Sequence, residues 1–505
     1  MKVLAIVEVA SKQKYIFSSK YLKDNINRSN EIRFVTESRY LESISDSFNE
    51  ENNLVYSGGG HAILCFDSLE EGRSYLEKYS LNSRISFPNM EIYQKLKEYQ
   101  DDMKLTDMIN DLKGELEKKK KSYFNSFEKG TFGIEKRDKV TFMVQKDSRK
   151  IDDETIKDEF AKKLENQFNL TTIQEKLIVD DKEKTLKGQN FVSIVHIDGN
   201  KMGKRTSDLY ERINKENKSF DETRRELKAY SEAIDNDFKD ALYEVITYVD
   251  QFVKGEEGIV PIRPLIYAGD DICFITAGPI GLLCAEKFME AISKKKNKVD
   301  NKPYAVCAGV AMVHISYPFY SAYELSEELC SSAKRYGEEL DESGRVSLID
   351  WHIEYGQLKS SLEEIREDYI TNDNQELYLR PYVVNIPTDL NIEPDAYRLY
   401  ESYKNLSRLL KSKVLKYPRT KIKGLREALK KGTNNTNLYL KERNIDNDFK
   451  YLAPESYIKD KRKDINNVEK LNEYTEIFRE NKCMIFDAIE TMDCVIVDVE
   501  DRDEK

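Results

Sequence analysis

Three carboxylates stand out by type and spacing. Asp270 and Asp271 are adjacent at a bend between two apolar runs, Leu265-Ile266-Tyr267-Ala268 and Ile272-Cys273-Phe274-Ile275, with Gly269 at the bend. Asp198 ends a third apolar run that begins at Phe191, and Gly199 follows it. Runs of this length, rich in β-branched and aromatic residues, predict buried strands. Gly269 predicts the relaxed backbone of a hairpin turn. Neighbouring carboxylates repel, so a pair held on rigid strand ends points to a cation between them. Hard oxygen ligands suit Mg2+ or Mn2+. Asp198, Asp270 and Asp271 on adjacent strands suffice for two such ions, the arrangement that activates a hydroxyl nucleophile and steadies a leaving pyrophosphate. The Gly199 carbonyl offers a further ligand. Lys201, Lys204 and Arg205, in the turn after Asp198, and Lys334 on a later helix are candidates for holding a triphosphate.

The elements that must position these residues alternate between strand and helix. The sequence predicts a strand over 3–9, a helix over 11–25 with Ser11 as N-cap, strands over 53–56 and 62–66 around Ser57-Gly58-Gly59-Gly60, and a helix over 68–79. Ile92, Leu96, Tyr99, Met103, Ile109, Leu112 and Leu116 recur at helical spacing over 91–125, ending in Lys118 to Lys121. Residues 126–187 read as a charged connector with one short helix near 153–168. A strand over 191–198, a helix over 221–253, the Asp hairpin, a helix over 281–294, a strand over 304–313, a helix over 321–336 and a strand over 345–349 follow. From about 356 the pattern is mostly helical, in segments 393–412, 421–430 and 464–492, with a charged tail at 498–505. The expected class is α+β, divided as 1–90, 91–187, 188–355 and 356–505.

The two αβ blocks overlay. Tyr56 falls against Tyr267, Gly58 against Gly269, and Gly59 and Gly60 where Asp270 and Asp271 stand; Leu4–Ala10 falls against Val192–Asp198, with Ala10 at Asp198. One fold is therefore expected twice, with the first copy stripped of all three carboxylates and only the second binding metal.

Composition narrows the function classes. The 505 residues suffice for several domains, and 39% hydrophobic with 34% charged residues describes a folded chain with charged helices. A net charge of -11 excludes a general nucleic-acid coat, which needs a basic surface. None of the seven cysteines forms a CxxC pair, so they read as reduced core residues of a cytoplasmic protein. The four histidines are scattered, with no HExxH pattern. No run approaches the ~18 apolar residues of a membrane span.

These motifs resemble the palm domains of the large polymerase subunit of type III CRISPR effector complexes, especially the Cmr type. Tyr15-Ile16-Phe17 and Ser57–Gly60 match in the first palm. In the second the matches are Asp198-Gly199-Asn200-Lys201-Met202-Gly203, Tyr267-Ala268-Gly269-Asp270-Asp271, Ala308-Gly309-Val310-Ala311, Tyr317-Pro318, Ala333-Lys334 and Asp350-Trp351-His352. The resemblance covers about 1–90 and 190–355. It implies two ferredoxin-like palms joined by a helical connector, with a helical C-terminal domain. It also implies an enzyme that joins ATP into cyclic oligoadenylate with Mg2+. Asp198, Asp270 and Asp271 would hold metal, Ala268 and Gly269 would approach the nucleotide, Lys334 would hold the triphosphate, and Ser57, Gly58, Gly59 and Gly60 would line an acceptor site. RNA or a CRISPR-type ribonucleoprotein is the activator it implies. Ala268 replaces the first Gly of the family's Gly-Gly-Asp-Asp hairpin. The family's His-Asp nuclease and Cys-rich zinc elements find no counterpart, which implies a stand-alone messenger synthase without DNase activity. A non-catalytic nucleotide-binding scaffold is the competing expectation. Diguanylate cyclases share the palm-like fold, but their motif continues with Glu-Phe or Asp-Phe where this chain has Asp271-Ile272.

Overall fold

The computed structural model describes residues 2–19, 21–100, 102–122, 151–170, 177–179, 185–186, 190–254, 258–355, 361–392, 394–414, 417–445 and 477–497. Its first sheet contains β1 (Lys2–Ala10), β2 (Leu54–Gly58), β3 (His61–Phe66) and β4 (Glu91–Tyr99), in the order β2-β3-β1-β4 with every pair antiparallel. Helices α1 (Leu22–Phe34) and α2 (Leu69–Ser86) fall between strands, giving the β-α-β-β-α-β order of a ferredoxin-like fold. The Ser68 hydroxyl accepts the Glu71 N–H at 3.2 Å and so starts α2. Helix α3 (Leu105–Ser122) buries Met108, Ile109, Leu112 and Leu116.

The second sheet repeats that plan and extends it. Its strands are β5 (Phe191–Gly199), β6 (Ile262–Ala268), β7 (Asp271–Ala277), β8 (Val306–His314), β9 (Ser347–Glu354) and β10 (Tyr382–Asn385), in the order β10-β9-β8-β5-β7-β6. The four strands β6-β7-β5-β8 reproduce the order and directions of β2-β3-β1-β4. Helices α4 (Met202–Lys215), α5 (Phe220–Phe252), α6 (Gly281–Ser293) and α7 (Phe319–Leu340) connect them. A capping box starts the long α5: Ser219 and Glu222 satisfy each other's backbone N–H groups at 2.9 and 3.3 Å. Gly309 brings α7 onto β8, since a Cβ there would lie 2.1 Å from the Ser326 carbonyl oxygen.

Several expected elements differ. The helix expected over 11–25 breaks: Lys12–Ile16 forms one turn and α1 begins at Leu22. Ser11 occupies the cap position at φ 48°, but its hydroxyl donates to Glu91 at 3.0 Å instead of capping. Residues 91–99 form β4, so the first palm runs past 90; Ile92, Leu96 and Tyr99 fit a helical spacing, but the long pairing with β1 decides for strand. The short helix near 153–168 is two, Asp153–Ile156 and Glu159–Gln167. Past 356 the chain is not purely helical, because Tyr382–Asn385 joins the second sheet and Phe478–Arg479 pairs with Lys482–Cys483 before the helix Phe486–Thr491. Helices Tyr400–Val414, Arg419–Lys430 and Thr433–Arg443 are as expected in type. Residues 464–476, the tail over 498–505 and most of the connector lie outside the described residues. Among the described residues no helix is long and apolar enough to cross a membrane.

Candidate nucleotide and metal site

Ala268 pairs with Asp271, so Gly269 and Asp270 form a two-residue turn. Gly269 has φ +68° at the first central position, as a type II′ turn requires. Its N–H donates to the Asp235 carboxylate on α5 at 3.2 Å, which ties the hairpin to the helix. Asp198 stands directly opposite Asp271 on the neighbouring strand. At Gly199 a Cβ would lie 2.7 Å from Met202 Cγ and 2.9 Å from Asp270 Cβ, so only glycine lets β5 end this close to the turn. Strand pairing thus gathers Asp198, Gly199, Ala268, Gly269, Asp270 and Asp271.

Their charge is poorly compensated. Burial first, and the Asp198 carboxylate second, push Asp270 and Asp271 up to about 7. Asp271 is 45% exposed along its side chain, yet its Oδ1 is sealed and has no hydrogen-bond partner. His196 Nδ1 lies 3.8 Å from that oxygen and is also unpartnered, and burial lowers the His196 pKa, keeping the ring neutral. Lys334 donates to the Asp198 carboxylate and, at 3.2 Å, to the Gly199 carbonyl. Among the described residues no group of three or more His, Cys, Asp or Glu side chains closes into a ready-made metal centre. The hard oxygen donors and the unpartnered Asp271 oxygen nevertheless fit a divalent ion whose shell is completed by water and phosphate oxygens, as is usual for Mg2+.

The other expected site residues divide. Arg205 grips Asp300 through two bonds of 2.6 and 2.7 Å, donates to the Lys302 and Pro303 carbonyls, and lies over the Tyr304 ring. With 9% of its side chain exposed it locks α4 to the loop before β8 and is not free for phosphate, contrary to the expectation. Lys201 takes a left-handed conformation and pairs with Glu338 on α7. Lys204 is exposed on α4. In the first palm, the Ser57 carbonyl accepts the Ser231 hydroxyl at 3.0 Å, Gly58 approaches the same hydroxyl, and Gly59 and Gly60 form a turn with φ +57° and +77°.

The internal repeat is real, but its register differs from the one expected. Gly58 pairs with His61 as Ala268 pairs with Asp271, and Glu8 stands opposite His61 as Asp198 stands opposite Asp271. Gly60 and His61 therefore occupy the places of Asp270 and Asp271, and Glu8 that of Asp198. The first palm has lost the two hairpin carboxylates and kept the third.

Four site features had not been singled out. His196 sits two residues before Asp198 on the same strand face, a spacing that marks it in hindsight. Asp235 anchors the turn. Lys12 bonds the Gly59 carbonyl and also acts electrostatically on Asp271, and so stands between the palms. Arg33 on α1 donates to the Tyr267 hydroxyl at 3.0 Å and lies over its ring, fastening the first palm to β6. Beside Asp198, His196 and Lys334 opens a cleft of about 1170 Å³ that runs along α7 to Arg366 and Arg380.

A repeated ferredoxin-like fold with carboxylates on a hairpin and on the strand beside it defines a palm of the nucleotidyl cyclase and polymerase type. Residues 191–341 match the family model of the Cas10/Cmr2 second palm domain, a span from β5 to the end of α7 that holds all three carboxylates and Lys334. This segment is a Cas10-like second palm. Among solved structures the chain is similar to the Csm1–Csm4 cassette in complex with pppApA, with TM-score 0.48 and 12% identity over 97% of this chain and 69% of that chain. It is also similar to the apo Csm1–Csm4 cassette, with TM-score 0.44 and 14% identity over 69% of this chain and 54% of that one. The chain thus spans about half the length of the latter. No curated protein matches the chain.

Proposed function

We propose that the protein is a Mg2+- or Mn2+-dependent nucleotidyltransferase that joins nucleoside triphosphates into a cyclic or short oligonucleotide, releasing pyrophosphate. The observation that carries this reading is the opposed pair Asp198 and Asp271, with Asp270 in the adjoining turn, on a palm of the Cas10/Cmr2 type. Asp198, Asp270, Asp271 and the Gly199 carbonyl are the groups that would hold two divalent ions. When bound, such ions supply Lewis acidity to the attacking hydroxyl and the departing pyrophosphate.

The remaining work falls to the chain itself. Lys334 lies on Asp198 and is within reach of phosphate oxygens once that carboxylate takes a cation. The Ser57–Gly60 turn, with three glycines in a row after Ser57, offers nearly bare backbone to a second nucleotide. Asp235 ties the hairpin to α5 and Gly199 lets it lie close to β5, so the carboxylates need little reorganisation. The family resemblance makes ATP the preferred substrate, a messenger for antiviral defence the product, and RNA or a CRISPR-type ribonucleoprotein in the cytoplasm the activating partner.

A second reading, a nucleotide-binding scaffold without turnover, is favoured by one observation: Lys334 already neutralises Asp198. Incubation with ATP and Mg2+ or Mn2+, alone and with RNA, separates the two. Pyrophosphate release that disappears in Asp270→Asn supports the enzyme. Nucleotide binding without any product supports the scaffold.

A further inference from the structure

The corrected register brings out a second charged site. Lys334 follows Cys307, the β8 partner of Asp198, by 27 residues (334 − 307); Lys120 follows Tyr93, the β4 partner of Glu8, by the same interval (120 − 93). Each lysine lies on the helix after its palm's fourth strand and reaches the matching carboxylate, Lys334 to Asp198 and Lys120 to Glu8 at 2.9 Å. The carboxylate–lysine pair is thus present in both palms.

Around this shared pair the charges are inverted. Lys12 comes four residues after Glu8, where Met202 comes four after Asp198; Lys113 comes seven before Lys120, where Glu327 comes seven before Lys334. With Gly60 and His61 in place of Asp270 and Asp271, the first palm sets the three ammonium groups of Lys12, Lys113 and Lys120 against two carboxylates, Glu8 and Glu117, both paired with Lys120 at 2.9 and 2.6 Å. The second sets Asp198, Asp270 and Asp271, with Glu327 near Asp271, against Lys334 and the shared Lys12. The first-palm lysines converge: Lys12 bonds the Gly59 carbonyl, Lys113 lies 5.7 Å from the centre of the Tyr56 ring, and burial together with Lys113, Lys12 and Lys120 pushes His61 down to about 3. His61 is therefore neutral and adds no charge of its own. A carboxylate-rich site needs a cation before it can accept a phosphate, whereas a site with surplus ammonium groups accepts one directly.

We propose that Lys12, Lys113 and Lys120, beside the Gly59–Gly60 turn, form a metal-independent oxyanion site for the polyphosphate of a substrate nucleotide, in which lysine ammonium groups take the place of the divalent ions of the second palm. The inference rests on the proposed function only for the identity of the ligand as a nucleoside triphosphate. Within the Lys118–Lys121 run, Lys120 has a carboxylate partner in Glu8 and a counterpart in Lys334.

Isothermal titration of the full chain with tripolyphosphate, first in EDTA and then in Mg2+, tests it. The expected result is one equivalent bound in EDTA and a second only with Mg2+. Lys120→Met and Lys113→Met should weaken the EDTA equivalent at least 10-fold, and Glu8→Gln should tighten it several-fold. Lys113 has no carboxylate partner among the described residues, so its variant keeps the test sound if Lys120→Met folds poorly. No binding in EDTA, or binding indifferent to both lysine variants, overturns the proposal. A missing second equivalent in Mg2+ counts instead against the reading of the second palm. Replacement of tripolyphosphate by adenosine should abolish the EDTA equivalent; persistence would show recognition of the base and overturn the assignment to phosphate.

Discussion

Asp198 and Asp271 face each other across two antiparallel strands, and Lys334 rests on the first of them. Like charges directly opposite on a sheet are destabilising by a fraction of a kcal/mol to about 1 kcal/mol. Asp271→Asn should therefore stabilise the metal-free protein by up to ~1 kcal/mol, while abolishing the rise in Tm that Mg2+ gives the native protein. Thermal melts in EDTA and in Mg2+ check both halves.

The pH dependence follows from the same pair. Asp270 and Asp271 titrate near 7 in the folded chain, above their unfolded values. The folded state keeps their protons longer, so their contribution favours folding on the acid side and is lost as pH rises from the ordinary carboxylate range through about 7. Divalent ions compete with those protons. Mn2+ affinity should accordingly fall on lowering the pH from 8 to 6, and the fall should shrink in Asp270→Asn. Titration followed by Mn2+ electron paramagnetic resonance measures it.

Gly309 controls the placement of Lys334. A Cβ there would meet the Ser326 carbonyl oxygen at 2.1 Å and the Cys330 nitrogen at 2.4 Å, both backbone atoms of α7. Gly309→Ala should cost roughly 1–3 kcal/mol or more and push α7 away from Asp198. Gly269→Ala meets nothing within 4 Å and pays only for φ +68°, about 1–2 kcal/mol. Denaturant melts of the two variants should rank in that order.

Arg205 offers a negative control. Its charged bonds to Asp300 make Arg205→Ala a stability variant, with an expected cost of about 2 kcal/mol. Its nucleotide affinity should match that of the native protein in a titration below the melting range. A selective loss of affinity would return Arg205 to the phosphate site.

The hairpin, its flanking strands and the repeat were legible because a two-residue turn between short apolar runs leaves few alternatives. The register of the repeat was not. Side chains in strands alternate with period two, so a shift of two residues maps one apolar run onto another and Ala10 passes for the counterpart of Asp198. Three consecutive glycines, Gly58 to Gly60, allow a slip of one residue at the turn. Only the cross-strand pairs of Glu8 and Gly58 with His61 remove both slips. Arg205 was misread for a different reason, since its partner Asp300 lies 95 residues away. Residues 91–99 satisfied helical spacing, and only the free edge of β1 made them a strand.

Mass spectrometry of the products formed from mixed nucleoside triphosphates in Mg2+, with and without RNA, tests the central claim most directly. The account predicts phosphodiester-linked oligonucleotides, adenosine-rich and cyclic or short, that are absent from the Asp270→Asn reaction. Intact triphosphates throughout, from a protein that binds both nucleotide and Mg2+, would contradict it.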